Sequence, residues 1–271
     1  MKDAIIVNNL KKSYGSHAVL NGISFSVKQG EIFALLGANG AGKTTTLECV
    51  EGLRRYDEGE IVVDGKIGIQ LQSSSLQSFI RPTEAVKLFA LWNKASPDER
   101  QLKELGIYEF AKKKYCELST GQKRRLHLAL ALIGNPDIIF LDEPTAGLDV
   151  EGKLSLHKKI KELKAQGKTI ILASHDMAEV EQLSDTIAIL KDGMLAFTGS
   201  VEQLTQVVSR RHSIQITTTH GQQIIETDNL TKTLLEKLEE YRREGVDILD
   251  VKTDRGTLEE HFMSIAAGRG Q

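Results

Sequence analysis

The run Gly37-Ala38-Asn39-Gly40-Ala41-Gly42-Lys43-Thr44 satisfies the spacing G-x-x-x-x-G-K-[ST] in full. Glycines so spaced let backbone N–H groups turn inward around phosphate oxygens. Lys43 supplies a point charge to the β- and γ-phosphates, and Thr44 offers a hydroxyl to Mg2+. Thr45 continues into a predicted helix whose N-terminal dipole also favours an anion. A second candidate is Ile138-Ile139-Phe140-Leu141-Asp142-Glu143, an apolar run that carries two carboxylates to its end. There Asp142 would hold the magnesium shell, and Glu143 would orient and deprotonate an attacking water. Together the two motifs describe phosphate chemistry on a nucleotide.

Side chains of this kind need rigid supports. Ile32 to Leu36, Ile138 to Leu141 and Thr169 to Ala173 are continuous apolar runs, the pattern of strands buried on both faces. Thr44 to Leu53 reads as a helix after the glycine loop, and Glu151 to Gln166 as a charged helix. Ala4 to Val7 and Ile23 to Val27 read as strands near the N-terminus. Pro82 and Thr83 open a helical stretch predicted to recur to about Tyr115, and Ser119 opens another helix that stops at Asn135-Pro136. Such alternation predicts an α/β fold with a mostly parallel sheet and an inserted helical subdomain. Beyond Gly199 the pattern predicts a small α/β appendage, with helices at 201–209, 230–244 and 257–267 and strands at 213–219 and 246–253.

Leu118-Ser119-Thr120-Gly121-Gln122 makes the pattern specific. With the two motifs above, the chain resembles the ATP-binding-cassette (ABC) ATPases, whose signature LSGGQ it matches except at Thr120. The resemblance covers roughly residues 4 to 200. It implies that Ser119, Thr120, Gly121 and Gln122 serve a nucleotide held by an opposing subunit, Thr120 tuning that contact more than abolishing it. Ile67-Gly68-Ile69-Gln70-Leu71-Gln72 resembles the family's Q-loop approach, placing Gln72 on the metal and attacking water, with Gln70 the weaker candidate. Ala146-Gly147-Leu148-Asp149 resembles its D-loop, so Asp149 would act across a dimer interface. Ser174-His175-Asp176 resembles its switch, with His175 on the γ-phosphate. Tyr14, with Val19 beyond it, resembles the aromatic loop that stacks on adenine.

The resemblance further implies a P-loop NTPase core with an N-terminal antiparallel β subdomain. The nucleotide-binding domain would span 1–200, with a helical subdomain at about 83–134 and a C-terminal extension at 201–271. ATP and Mg2+ are the expected ligands. A second nucleotide-binding subunit and a separate transmembrane permease are the expected partners, motion passing through the loop from Gln72 to Pro82 and the helices after it. The likeness is greatest to bacterial exporter subunits, to which the end segment Thr257 to Phe262 adds. A soluble ABC ATPase acting on nucleic acid or ribosomes, and a non-transport regulatory ATPase, are the alternatives.

Composition sets the outer bounds. The 271 residues hold 35 Lys+Arg against 37 Asp+Glu, a formal net charge of −2, which argues against binding a nucleic-acid backbone by bulk charge. Lys112-Lys113-Lys114 and Lys123-Arg124-Arg125 read as solvated helix faces, with Arg124 and Arg125 placed to hold the signature helix on the core. Cys49 and Cys116, in no metal or disulfide spacing, read as buried thiols of a reducing compartment. No apolar stretch reaches the roughly 18 residues of a membrane span. A cytoplasmic protein, peripheral on the cytoplasmic face of the membrane through its permease, is the expectation.

Overall fold

The computed structural model describes residues 2–70, 76–208, 212–227 and 229–254. In chain order the elements are β1 (Asp3–Tyr14), β2 (His17–Lys28), β3 (Ile32–Leu36), α1 (Lys43–Val50), β4 (Glu58–Val63), β5 (Ile67–Gln70), α2 (Pro82–Trp92), α3 (Glu99–Glu104), α4 (Thr120–Ala131), β6 (Ile138–Asp142), α5 (Val150–Ala165) and β7 (Thr169–Ser174). Then follow α6 (Met177–Leu183), β8 (Thr186–Lys191), β9 (Met194–Gly199), α7 (Val201–Val208), β10 (His212–Thr218), β11 (Gly221–Thr227), α8 (Leu230–Glu244) and β12 (Ile248–Asp254).

Every residue of β3, β6 and β7 is buried. A strand covered on both faces has no polar side to alternate with, which is why these runs are continuously apolar. They are neighbours in a six-stranded sheet ordered β5-β6-β7-β3-β8-β9. The pairings from β5 to β8 are parallel. Register sets Leu36 opposite Ser174 and Asp142 opposite Ala173, so the carboxyl ends of β3, β6 and β7 finish side by side. Open parallel sheets bind ligands at that edge. β9 is reached from β8 through Asp192 and Gly193, both at positive φ, the geometry of a tight hairpin.

Two hydrophobic clusters cover the sheet. One packs Leu10, Leu20 and Ile23 of the antiparallel β2-β1-β4 sheet, with Leu47 of α1, against Phe33, Phe140 and Ala173. The other packs Leu126 and Leu128 of α4 and Ile160 and Leu163 of α5 against Ile139, Leu141 and Ile170. Successive strand residues thus send alternate side chains to opposite layers.

The predicted helices up to Tyr115 are shorter than expected. After α2 and α3 the chain makes only single 3-10 turns at Ile107–Phe110 and Tyr115–Glu117. Gly106, at a φ of 65°, ends regular helix there. Cys49 is buried as expected, whereas Cys116 is exposed, because its 3-10 turn presents it outward while Tyr115 packs inward. The chain divides into two compact units, Met1–Thr198 and Gly199–Gln271. In the second, β11-β10-β12 is antiparallel and buries Ile214 and Ile216. β11 was not expected from the sequence, because Gly221-Gln222-Gln223 opens it without apolar alternation. The predicted helix at 257–267 lies outside the described residues, as does Gln72.

Candidate functional site

The glycine loop between β3 and α1 leaves no room for side chains. A Cβ at Gly37 would lie 2.7 Å from the Leu190 carbonyl oxygen. Gly42 stands at a φ of 106° beside Leu20 and Val19, so only glycine fits the first position before α1. Ala38, Asn39 and Gly40 are exposed at the loop's crest, and Ala41 is buried beneath it. Lys43 is 7% exposed and curls back over this loop, donating to the Gly37 carbonyl at 2.8 Å and the Ala38 carbonyl at 3.3 Å. Burial pushes its ammonium below its ordinary pKa, while Glu143 and Asp142 pull it back up.

Both carboxylates arrive where their strand order places them. Asp142, the last residue of β6, accepts a hydrogen bond from the Thr44 hydroxyl at 3.0 Å on Oδ2. Its Oδ1 is buried and has no hydrogen-bond partner among the described residues. Burial raises the Asp142 carboxyl, against the Thr44 hydrogen bond. Glu143 sits at a φ of 49°, a conformation that costs a non-glycine residue of order 1–3 kcal/mol. Its N–H donates to the Ala173 carbonyl at 3.0 Å, which locks the kink onto the neighbouring strand β7.

That kink brings Glu143 to His175. Both carboxylate oxygens lie 2.8 Å from His175 Nδ1, and Oε1 lies 3.9 Å from Lys43 Nζ. An ionised carboxylate only accepts, so the imidazole donates from Nδ1. Glu143 has 6% of its side chain exposed and His175 58%, so the carboxylate is enclosed and the imidazole faces outward. Behind Asp142, Glu51 is also buried, and its carboxyl is pushed up to about 7 by burial, Asp142 and Glu48.

The signature residues are arranged otherwise. Ser119 caps α4, accepting from the Gln122 N–H at 3.2 Å, and Gln122 Oε1 accepts from the Ser119 N–H at 3.1 Å. This is a reciprocal capping box. A Cβ placed at Gly147 would lie 3.2 Å from the Thr120 methyl group, and one at Gly121 would lie 3.7 Å from Leu148. The signature and Asp149 segments of one chain therefore pack on each other. Asp149 caps α5, accepting from the Gly152 N–H at 2.8 Å. Ser119, Gly121, Gln122 and Asp149 open onto a groove of about 860 Å³ that excludes the glycine loop. Among the described residues, no hydrogen bond or ion pair joins Ser119 to Gln122 with Lys43, Asp142, Glu143 or His175. Arg124, further along α4, does feel Asp142 and Glu143, which oppose the lowering of its pKa by burial. Arg125 instead reaches the Leu105 carbonyl at 3.5 Å and stacks over Phe110, holding α4 to its own subdomain.

Of the remaining expected residues, Tyr14 is exposed at the end of β1, with Lys12 and Arg54 each 5.4 Å from its ring centroid. Val19 is half-buried beneath Gly42, and Thr45 half-buried in the first turn of α1. Gln70 is 2% exposed, and neither amide atom has a hydrogen-bond partner among the described residues, an interior position beside Leu141 and not a surface one. Glu179 and His157, buried or nearly so behind the His175 segment, belong to no motif of the sequence. The one local signal was Asp176 followed three residues later by Glu179, the spacing of a capping box.

Known proteins share this architecture. The ABC transporter family model matches residues 20–146. An ABC transporter ATP-binding protein of Methanocaldococcus jannaschii is 40% identical, covering 75% of this chain and 80% of its own. The Nod factor export ATP-binding protein I of Burkholderia orbicola is 37% identical, covering 73% and 71%. The linearmycin resistance ATP-binding protein of Bacillus subtilis is 36% identical, covering 77% and 73%. Among solved structures, the dimeric form of a bacterial ABC transporter cassette is 28% identical with a TM-score of 0.67, covering 73% of this chain and 98% of that one. A post-hydrolysis state of a cassette with ADP and Pi is 27% identical with a TM-score of 0.66, at the same coverage.

Proposed function

The chain belongs to the family of ABC transporter ATP-binding proteins and is an ATPase, and from that premise we propose that it is the ATP-hydrolysing subunit of an exporter. The observation that carries the hydrolytic reading is the Lys43, Glu143 and His175 cluster at the joined ends of β3, β6 and β7. The export relatives support the direction of transport.

In this reading Gly37 to Thr45 cradle the nucleotide phosphates, and Lys43 exchanges the Gly37 and Ala38 carbonyls for β- and γ-phosphate oxygens. Tyr14 lies under the adenine, with Val19 beside it. Glu143 takes the proton of the attacking water as oxygen bonds to the γ-phosphorus and the bond to ADP breaks. His175 holds the Glu143 carboxylate through Nδ1 and faces the γ-phosphate. Asp142 Oδ1 and the Thr44 hydroxyl are hard oxygen donors, and the orphaned Oδ1 fits a divalent ion. Bound there, Mg2+ would neutralise developing phosphate charge.

Ser119, Thr120, Gly121, Gln122 and Asp149 would meet the nucleotide of a second, identical subunit, since nothing in their own chain's phosphate cluster engages them. Among the described residues no helix is long and apolar enough to cross a membrane. The export relatives support a reading in which a separate permease carries the cargo and holds this subunit at the cytoplasmic face. Phe79, Leu91 and Trp92, large apolar side chains exposed on the helical subdomain, are the surface proposed to meet it. No nucleic-acid role is proposed. Steady-state phosphate release by the wild type and by Glu143→Gln tests the hydrolytic reading. Export of cargo from vesicles that hold the chain and its co-purifying membrane protein tests the rest, and uptake would reverse the direction.

A further inference from the structure

His175 is aimed by residues outside the catalytic cluster. Ser174, the last residue of β7, has a fully buried side chain. Its hydroxyl donates to Glu179 Oε2 at 2.7 Å and accepts the Asp176 N–H at 3.0 Å. One hydroxyl thereby fixes the backbone on both sides of His175. Glu179 is 3% exposed, and a carboxylate that deep is costly unless it is bonded. Its Oε1 has no hydrogen-bond partner among the described residues and faces His157 Nε2 of α5 at 3.5 Å.

The local preference points elsewhere. Asp176 caps α6 and accepts the Glu179 N–H at 3.2 Å, and a glutamate three residues after an N-cap ordinarily returns to the cap's own N–H. Glu179 turns to Ser174 instead. The second Asp176 oxygen accepts from Lys153 of α5 at 3.1 Å. Successive turns of α5 therefore present Asp149 as its cap, then Lys153, then His157. One helix touches both the D-loop end and the two acids that hold the His175 segment.

We propose that Glu179 is a positioning residue for ATP hydrolysis: through the Ser174 hydroxyl it sets the backbone from which His175 reaches Glu143, while Lys153 of α5 holds the adjoining Asp176. The inference rests on the reading of Glu143 and His175 as the hydrolytic pair. A residue that merely filled space would lower stability and nucleotide affinity together. A positioning residue lowers kcat while the ATP cradle, which it does not touch, keeps its affinity.

The test uses the full chain, with phosphate release for kcat and KM and a fluorescent ATP analogue for binding. Glu179→Ala and Ser174→Ala are each expected to lower kcat about tenfold, with KM and analogue affinity within twofold of wild type. The double variant is expected to fall no further than the worse single one, as for two members of one unit. Glu179→Gln keeps a carbonyl acceptor for Ser174 and is expected to recover at least half of the wild-type kcat. The proposal is overturned if Glu179→Ala keeps wild-type kcat while His175→Ala abolishes it, if the two single losses multiply, or if Glu179→Gln is as slow as Glu179→Ala. Should Glu179→Ala fail to fold, unchanged turnover in Ser174→Ala overturns it alone. Wild-type turnover in His175→Ala would instead sink the hydrolytic reading beneath it.

Discussion

At the ends of β3, β6 and β7, Glu143 already meets both Lys43 and His175, whereas at the start of α4 the side chains of Ser119 and Gln122 each close on the other's backbone. The first region is dense with charge and buried at Lys43 and Glu143, with His175 closing its outer side, and its side chains depend on their neighbours. The second is neutral, exposed and satisfied by its own backbone. The difference teaches what each half of a nucleotide site can do alone. Removing a member of the first leaves a buried charge unpaired, which costs several kcal/mol. Removing the Ser119 cap costs about 0.5–2 kcal/mol. A region that asks so little of its own chain is suited to meet another.

The largest expected effect tests the first half of that contrast. Glu143→Gln removes the proton acceptor but keeps the shape, so turnover should fall by roughly 10²-fold or more, in line with general-base catalysis. Nucleotide binding should survive, and ATP-held dimers should accumulate in size-exclusion chromatography. Phosphate release within tenfold of wild type would falsify the base assignment.

Ser119→Arg comes next and tests the other half. An arginine at the α4 terminus should block closure and lower turnover about tenfold or more, since mismatched charge at an interface costs several kcal/mol. ATP affinity of the isolated chain should stay within about twofold, less than 0.5 kcal/mol. Equal loss of both would place Ser119 in its own chain's pocket, and the contrast between the halves would collapse.

A smaller effect is expected at Thr120, whose methyl group lies against Gly147. Thr120→Gly restores the family's usual residue but loosens the first turn of α4 by up to about 0.5–1 kcal/mol. The melting temperature should drop by a few degrees and turnover change less than threefold. A tenfold change in either direction would mean that the Thr120 contact with the D-loop governs closure.

The sequence carried some of this plainly. The spacing from Gly37 to Thr44 and the apolar run ending in Asp142 and Glu143 are local, so the residues that define them sit together in the chain and in space. The buried strands β3, β6 and β7 were legible for the same reason, whereas β8, equally buried over Ile187 to Leu190, was not read. The Glu143 kink was not, because its positive φ is imposed by a hydrogen bond to Ala173 on another strand. Nor were the β4 and β11 strands, where Glu58-Gly59-Glu60 and Gly221-Gln222-Gln223 lack apolar alternation and pairing partners decide. Ser119 and Asp149 were read for what they would touch in a partner. Their role as caps of their own helices follows from the same side-chain oxygens. The links from Ser174 to Glu179 and from Lys153 of α5 to Asp176 join residues whose pairing only the folded chain reveals.

The smallest effect on turnover should come from Glu51, and it sharpens the electrostatic side of the comparison. Its carboxyl, pushed up to about 7 from 4.5 by burial, Asp142 and Glu48, keeps its proton in the native chain at pH values where the unfolded chain has lost it. Below about pH 4.5 both states are protonated and the group is neutral towards stability. As pH rises from there the native state is progressively disfavoured, and the loss is complete above about 7, with an upper limit near 3 kcal/mol by linkage. Glu51→Gln removes the titration without changing the shape. Urea unfolding of the nucleotide-free chain should therefore show the variant gaining on wild type between pH 5 and pH 8, by about 1–3 kcal/mol, with turnover nearly unchanged. A difference that does not vary with pH would mean that the carboxyl behind Asp142 holds no charge cost. The electrostatic contrast between the halves would then rest on Lys43, Asp142, Glu143 and His175 alone.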